Sequence, residues 1–221
     1  MGTSLDTTTI LETLRELNAG VSVSLWLFGG VAVDFLVGRW TRAHRDIDLN
    51  TFSDARERLG TELAVLGYET RDTGWLTHWH KAPAGRHIEV VFLERSTDGT
   101  PELVIDAESS VGTPGRYRLW PGYMDLFRFG ALDGVRFRVC SPEGEWLGRS
   151  RSVISGRHPE PKIEHDRRLL ESVIPQDVLN RLQKMENWAK SPDPTALVPT
   201  SAASASAKAS ADRDAPVEPR F

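Results

Sequence analysis

Asp46 and Asp48 stand one residue apart in the run R-D-I-D-L. A strand alternates its faces with a period of two, so both carboxylates point the same way. Like charges held this close repel, and a face built around them usually has a cation to hold. Magnesium suits it, because that ion takes oxygen ligands and is commonly held by one or two carboxylates together with substrate phosphates. Upstream, Gly29 and Gly30 follow Leu25, Trp26, Leu27 and Phe28 and precede Val31, Ala32, Val33, Phe35 and Leu36. Glycine permits a sharp turn and close approach of a ligand. The helix start behind it offers N–H groups and a partial positive charge to an anion. A phosphate chain fits between that turn and a metal on Asp46 and Asp48.

The connection between the two features, R-W-T-R-A-H-R at residues 39–45, is basic. It reads either as a solvated loop or as a clamp in which Arg42 and Arg45 meet phosphate oxygens, a task that fits the guanidinium fork. His44 fits a role in orienting a carboxylate or contacting phosphate, not in binding metal. Asp34 fits a role in stabilising its helix or positioning the basic loop. Farther on, R-H-I-E-V-V-F-L-E at residues 86–94 reads as a strand. Ile88, Val90 and Phe92 share one face; His87, Glu89, Val91 and Leu93 share the other. An acid in so apolar a run needs a reason, since an unpaired buried charge is costly. Joining Asp46 and Asp48 at a metal centre supplies one. Glu94 is the rival acid, but it faces away and lies at the strand's end.

The stretch G-G-V-A-V-D-F-L-V-G-R-W-T-R-A-H-R-D-I-D-L resembles the signature of small antibiotic nucleotidyltransferases. These are the aminoglycoside 2''-adenylyltransferases and lincosamide nucleotidyltransferases of the DNA-polymerase-β-like superfamily. Gly29, Gly30, Asp34, Gly38, Arg39, Thr41, Arg42, His44, Asp46, Ile47, Asp48 and Leu49 carry the resemblance without gaps. It is strong over residues 26–49, looser to about Arg168 and absent in the tail. It implies an α/β (α+β) fold: a mixed, twisted sheet flanked by helices, with a helical C-terminal part. Magnesium would be held by Asp46, Asp48 and Glu89, the last at a position where the family usually shows aspartate. ATP would be met by Gly29, Gly30, Arg42, Arg45 and Lys162. The implied reaction moves a nucleoside monophosphate, AMP by family habit, to a hydroxyl of a small sugar-containing molecule. Glu89 would remove the proton of the attacking hydroxyl. Two alternatives stand beside this: modification of a protein partner of toxin–antitoxin type, and a catalytically weak nucleotide-binding relative, suggested by glutamate at position 89.

Composition sets bounds. The 221 residues are 39% hydrophobic and carry a net charge of −4, so no overall basic field draws the chain to nucleic acid or a membrane. The single cysteine, Cys140, excludes an internal disulfide and reads as a small core residue. No apolar run approaches the roughly 20 residues of a membrane span, and no basic-then-apolar leader opens the chain. A cytoplasmic enzyme is expected, with a homodimer compatible with the resemblance. The expected division is a nucleotidyltransferase core over residues 1–140, a helical segment over 141–190, and a disordered Pro/Ala/Ser-rich tail over 191–221.

The elements that must position the acids follow from periodicity. Residues 5–17 read as an amphipathic helix with a Thr9/Glu12 capping box. Residues 21–28 read as the first core strand, 31–37 as a helix, and 45–52 as the carboxylate strand. A helix capped by Ser53 or Asp54 spans 53–66, and 68–72 with 75–81 form a hairpin. His78 and His80 share a strand face; no third metal ligand is visible in the sequence, so they read as surface or pocket lining. Short strands are expected near 103–105, 116–120 and 135–140. The aromatic segment around Trp120, Tyr123, Phe127 and Phe129, with Trp75 and Trp79, reads equally as core, a dimer surface or an acceptor pocket. Helices start at Ser141-Pro142, Pro161 and Pro175-Gln176.

Overall fold

In the computed structural model of the chain, the structure describes residues 4–72, 76–82, 85–105, 115–119, 122–125, 128–154 and 161–189. The expected disordered tail, Trp75, Trp120 and Phe127 lie outside the described residues. Two units divide the chain, Met1–Lys190 and Ser191–Phe221, and every described residue belongs to the first.

The elements in chain order are α1 (Thr7–Gly20), β1 (Trp26–Leu27), α2 (Gly29–Val37), β2 (Ile47–Phe52), a 3₁₀ turn (Ser53–Ala55), α3 (Arg56–Val65), β3 (Glu69–Asp72), β4 (Leu76–Lys81), β5 (Arg86–Arg95), β6 (Pro101–Ile105), β7 (Gly115–Arg118), β8 (Phe129–Leu132), β9 (Val135–Arg138), α4 (Pro142–Ile154), α5 (Pro161–Glu171) and α6 (Gln176–Ala189). Among the described residues, seven strands form one mixed sheet in the order β1-β2-β5-β4-β3, with β6 and β7 continuing from β5. β2 and β5 run parallel, and β4 is antiparallel to β5. β5 is long enough to pair with β2 and β4 over its first part and with β6 at Leu93–Arg95. The mixed, helix-flanked sheet is the expected class.

Apolar alternation decides which side of the sheet faces the core. Ile47, Leu49, Ile88, Val90 and Phe92 lie in the main cluster with Ile10, Leu14 and Leu17 of α1. The other face of the same strands carries Val91 and Leu93, packed with Trp26, Phe52, Tyr123, Met124 and Cys140. A third cluster joins Val33 of α2 to Trp146 of α4, Leu170 of α5 and Leu179 and Leu182 of α6. The aromatic segment is therefore core at Tyr123 and Met124, while Phe129 is exposed.

Several boundaries differ from the sequence reading, each for a physical reason. The N-cap of α1 is Asp6, whose carboxylate accepts from the Thr9 N–H at 2.7 Å, so the box proposed at Thr9 and Glu12 is displaced by one turn. Val23, Leu25, Trp26 and Leu27 of the run 21–28 are buried, yet only Trp26 and Leu27 pair in a strand. Burial set that pattern; ladder hydrogen bonding did not. The helix read at 53–66 begins with a 3₁₀ turn, and no side chain caps α3. The pair β8–β9 forms its own two-stranded ribbon, whose first strand the sequence reading did not separate from the aromatic segment.

Candidate active site

The carboxylate strand does what its period requires. Ile47 and Leu49 are fully buried in the core and Asp48 keeps partial exposure on the opposite face; the strand begins at Ile47, so Asp46, also partly exposed, stands one residue ahead of it and not within it as expected. Parallel pairing sets Asp48 directly beside Glu89, and antiparallel pairing sets Glu89 beside His78. Residues paired across adjacent strands project from the same face. The result is one row across three strands, Asp48–Glu89–His78, with Asp46, His87 and His80 at the same end of the face. Glu94 is on the opposite face and pairs with Glu102 of β6.

Electrostatics confirms the closeness of the acids. Burial, followed by the charges of Asp46, Glu89 and Glu145, pushes the Asp48 carboxyl well above the ordinary carboxylate range against the opposing pull of Arg149. Burial and Asp46 push Glu89 up as well, with His78 opposing. Among the described residues, neither Asp46 nor Asp48 has a hydrogen-bond or ion-pair partner for its carboxylate. Oxygen donors crowded without a counter-cation fit a hard divalent ion.

The glycine corner packs tightly against this row. Gly29 takes φ +72°, and a Cβ there would lie 2.1 Å from Asp48 Oδ2. Any side chain at this position would both strain the backbone and displace the acid. Its N–H donates to Glu145 Oε2 at 3.0 Å. A Cβ on Gly30 would lie 2.1 Å from a guanidinium nitrogen of Arg42 and 2.8 Å from His44 Nδ1. The two glycines thus admit an acid on one side and the basic loop on the other. Asp34, fully buried on α2, positions that loop: it accepts from the Thr41 N–H at 3.1 Å and contacts His44 Nε2 at 2.6 Å.

Three charged residues not singled out from the sequence as site residues complete the surroundings. Arg42 Nε and a terminal nitrogen both meet Asp166 of α5 at 3.2 Å, a bidentate pair. Arg149 of α4 donates to Glu145 at 2.5 Å and to Asp166 at 3.1 Å. The Tyr123 hydroxyl donates to Glu145 at 3.1 Å and accepts from Asn50 Nδ2 at 3.3 Å. Arg42 therefore reaches the corner as expected, held by an acid 124 residues away. Arg45 is exposed. Lys162 is exposed in the first turn of α5, one helical turn before Asp166. No periodic signal links Glu145, Arg149 and Asp166; Ser141 as N-cap of α4, accepting from the Gly144 N–H at 3.0 Å, was the available clue to where Glu145 sits.

The histidines depart from the sequence reading. His78 does have further potential ligands: His87 and Glu89 stand beside it, and the donor atoms of all three lie within 4.8 Å of one another. The hairpin register brings them together. Burial, reinforced by His80 and His78, lowers the His87 pKa against the pull of Asp46.

The family model for aminoglycoside-2''-adenylyltransferase matches residues 8–170. This chain belongs to the aminoglycoside-2''-adenylyltransferase family. Among curated proteins, a lincosamide resistance protein of Staphylococcus haemolyticus is 32% identical over 66 residues, which span 30% of this chain and 38% of that protein's length. The lincomycin-bound crystal structure of the lincosamide antibiotic adenylyltransferase LnuA aligns with a TM-score of 0.58 at 19% identity, over 78% of this chain and 100% of that one. ANT(2'')-Ia in complex with adenylyl-2''-tobramycin aligns with a TM-score of 0.66 at 18% identity, over 83% of this chain and 99% of that one. These likenesses show that this family member has the polymerase-β-like nucleotidyltransferase fold. No helix among the described residues is long and apolar enough to cross a membrane.

Proposed function

We propose that this chain transfers a nucleoside monophosphate, AMP from ATP, to a hydroxyl of a small sugar-containing antibiotic of the aminoglycoside or lincosamide type. The observation that carries the reading is the pair of carboxylates, Asp46 and Asp48, without a hydrogen-bond or ion-pair partner among the described residues, with Asp48 paired beside Glu89 and packed against a glycine turn that no side chain could replace. The family and the two antibiotic-modifying neighbours support it.

Asp46, Asp48 and Glu89 would hold magnesium, whose bound charge neutralises the triphosphate and favours in-line displacement at the α-phosphorus. Gly29 and Gly30 keep the corner free of side chains, so that phosphate oxygens can approach the backbone. Arg42, preset by Asp166, directs a guanidinium at that corner, and Arg45 and Lys162 add positive charge from the loop and from α5. Glu89 doubles as general base: its raised pKa makes it the stronger proton acceptor once ionised, and it takes the proton of the attacking hydroxyl. Residues 1–140 form the catalytic core, residues 141–190 back it with helices, and residues 191–221 contribute nothing to chemistry. The reaction belongs in the cytoplasm, where ATP is available.

The test is an acceptor panel. Protein, magnesium and labelled ATP are mixed with aminoglycosides and with lincosamides, and AMP-bearing product and pyrophosphate are measured. Both should appear together with at least one acceptor, and Glu89→Gln should lower kcat by roughly 10²–10⁴-fold, the range of a general base. Absence of both products with every member of the panel rejects the proposal.

A further inference from the structure

Glu89 belongs also to a second donor set, whose two histidines adenylyl transfer does not use. His78 Nδ1 lies 3.3 Å from Glu89 Oε1. His87 Nε2 lies 3.4 Å from the same His78 nitrogen and 3.6 Å from the same Glu89 oxygen. The three atoms form a nearly equilateral triangle. An ion bonded tetrahedrally to nitrogen and oxygen at roughly 2.0–2.1 Å would have its ligand atoms about 3.3–3.4 Å apart. The triangle therefore already has the dimensions of one face of a tetrahedral site, with a fourth position open.

For an ionised Glu89, hydrogen bonding alone does not account for it. If both imidazole nitrogens carry protons toward Glu89, they face each other as two donors. If one carries its lone pair instead, that lone pair faces a carboxylate oxygen. With Glu89 ionised, some edge of the triangle is repulsive whichever imidazole nitrogens carry protons, whereas a cation at its centre makes all three donors attractive. The scaffold is rigid: His78 pairs with Glu89 and His80 with His87 across β4 and β5. The His80 ring stacks on His87 at 4.4 Å and fixes its plane. The side chains of His78, His87 and Glu89 are 26%, 24% and 21% exposed, enough for an ion to enter.

We propose that His78, His87 and Glu89 bind a transition-metal ion of the zinc class, at a site that shares Glu89 with the magnesium face. Two imidazoles and one carboxylate suit zinc, cobalt, nickel or copper and are poor ligands for magnesium. The consequence for turnover rests on the adenylyl-transfer reading: an ion on this triangle withdraws Glu89 from its role, so zinc inhibits. The binding itself does not depend on that reading.

Untagged full-length protein, freed of metal with a chelator, is titrated with Co²⁺ alone and followed by visible absorption. The expected result is one equivalent bound with the strong absorption of a four-coordinate ion, displaced by one equivalent of Zn²⁺. His78→Ala and His87→Ala should each weaken binding by more than about 10-fold, the loss that follows even from removing an outer partner of a metal site. Asp48→Asn should bind like the parent, and His80→Ala, which removes only the ring stacked on His87, should weaken binding less than either ligand variant. In the turnover assay zinc should inhibit the parent, and His87→Ala should blunt that inhibition. A weak six-coordinate spectrum, undiminished binding in both histidine variants, or loss of the spectrum in Asp48→Asn overturns the site. A protein that shows the cobalt spectrum but turns over unhindered by zinc overturns the sharing of Glu89. A protein that binds cobalt as described yet transfers no nucleotide to any acceptor refutes the adenylyl-transfer reading and leaves the metal site standing.

Discussion

Two sets of acids surround the Gly29–Gly30 corner. Glu145 and Asp166 are buried and fully matched: Arg149 bridges both, Arg42 grips Asp166 with two nitrogens, and Glu145 also takes the Gly29 N–H and the Tyr123 hydroxyl. Asp46 and Asp48 have no such partners among the described residues, and burial together with the repulsion of the neighbouring acids raises the pKa of Asp48. The same chain, within one corner, neutralises one set and leaves the other exposed to its own charge. Neutralised acids hold structure together, because a buried pair stripped of one member leaves an uncompensated charge. Unneutralised acids weaken the fold and persist where a ligand supplies what is missing.

This contrast predicts opposite responses to removing a charge. The largest loss of stability should come from Arg149→Met, which strands Glu145 and leaves Asp166 to Arg42: about 3–5 kcal/mol, measured by denaturant unfolding. Gly29→Ala comes next. The left-handed backbone alone costs about 1–2 kcal/mol, and the methyl must displace Asp48. Activity should fall roughly 10²-fold, as a displacement of order 1 Å at a reacting centre does.

The pH dependence distinguishes the two sets more finely. Asp48 has a folded pKa above its unfolded value, so the folded state binds that proton more tightly. Stability from this group is therefore present at low pH and is lost as pH rises from the ordinary carboxylate range through the raised value. Asp48→Asn, measured by thermal unfolding with magnesium chelated, should raise Tm at pH 7 and flatten its decline with pH. Added magnesium should stabilise the parent more than the variant and narrow the gap. The smallest effect belongs to Arg45→Ala, because Arg45 is exposed. Stability should stay within about ±0.5 kcal/mol. Nucleotide binding, read from KM, should weaken by roughly 0.2–1 kcal/mol, as for other exposed charge pairs.

The unpaired set was the legible one. Strand parity placed Asp48 on the face away from the core, the charge of Asp46, one residue ahead of β2, acts on Asp48 and Glu89, and the apolar neighbours of Glu89 on β5 marked it as an acid with a task. The matched set was not legible, because Arg42 and Asp166 are joined across 124 residues by the packing of α5 against α2, which no local period encodes. His87 escaped as a partner for His78 for a related reason. Parity places each histidine on a face, but which residues sit opposite depends on the hairpin register, and no tight two-residue turn fixes that register in the sequence. The overread first strand has a third cause: Val23, Leu25, Trp26 and Leu27 are apolar because they are buried, and burial does not specify ladder pairing.

The most direct measurement is the magnesium dependence of nucleotide transfer in the parent and in Asp48→Asn, with folding of both verified by thermal unfolding. The account predicts a folded, equally or more stable variant whose turnover falls by at least about 10²–10³-fold, as on removal of a principal electrostatic stabiliser, and no longer responds to magnesium in the parent's range. A folded variant that turns over at the parent's rate with the parent's magnesium dependence contradicts it.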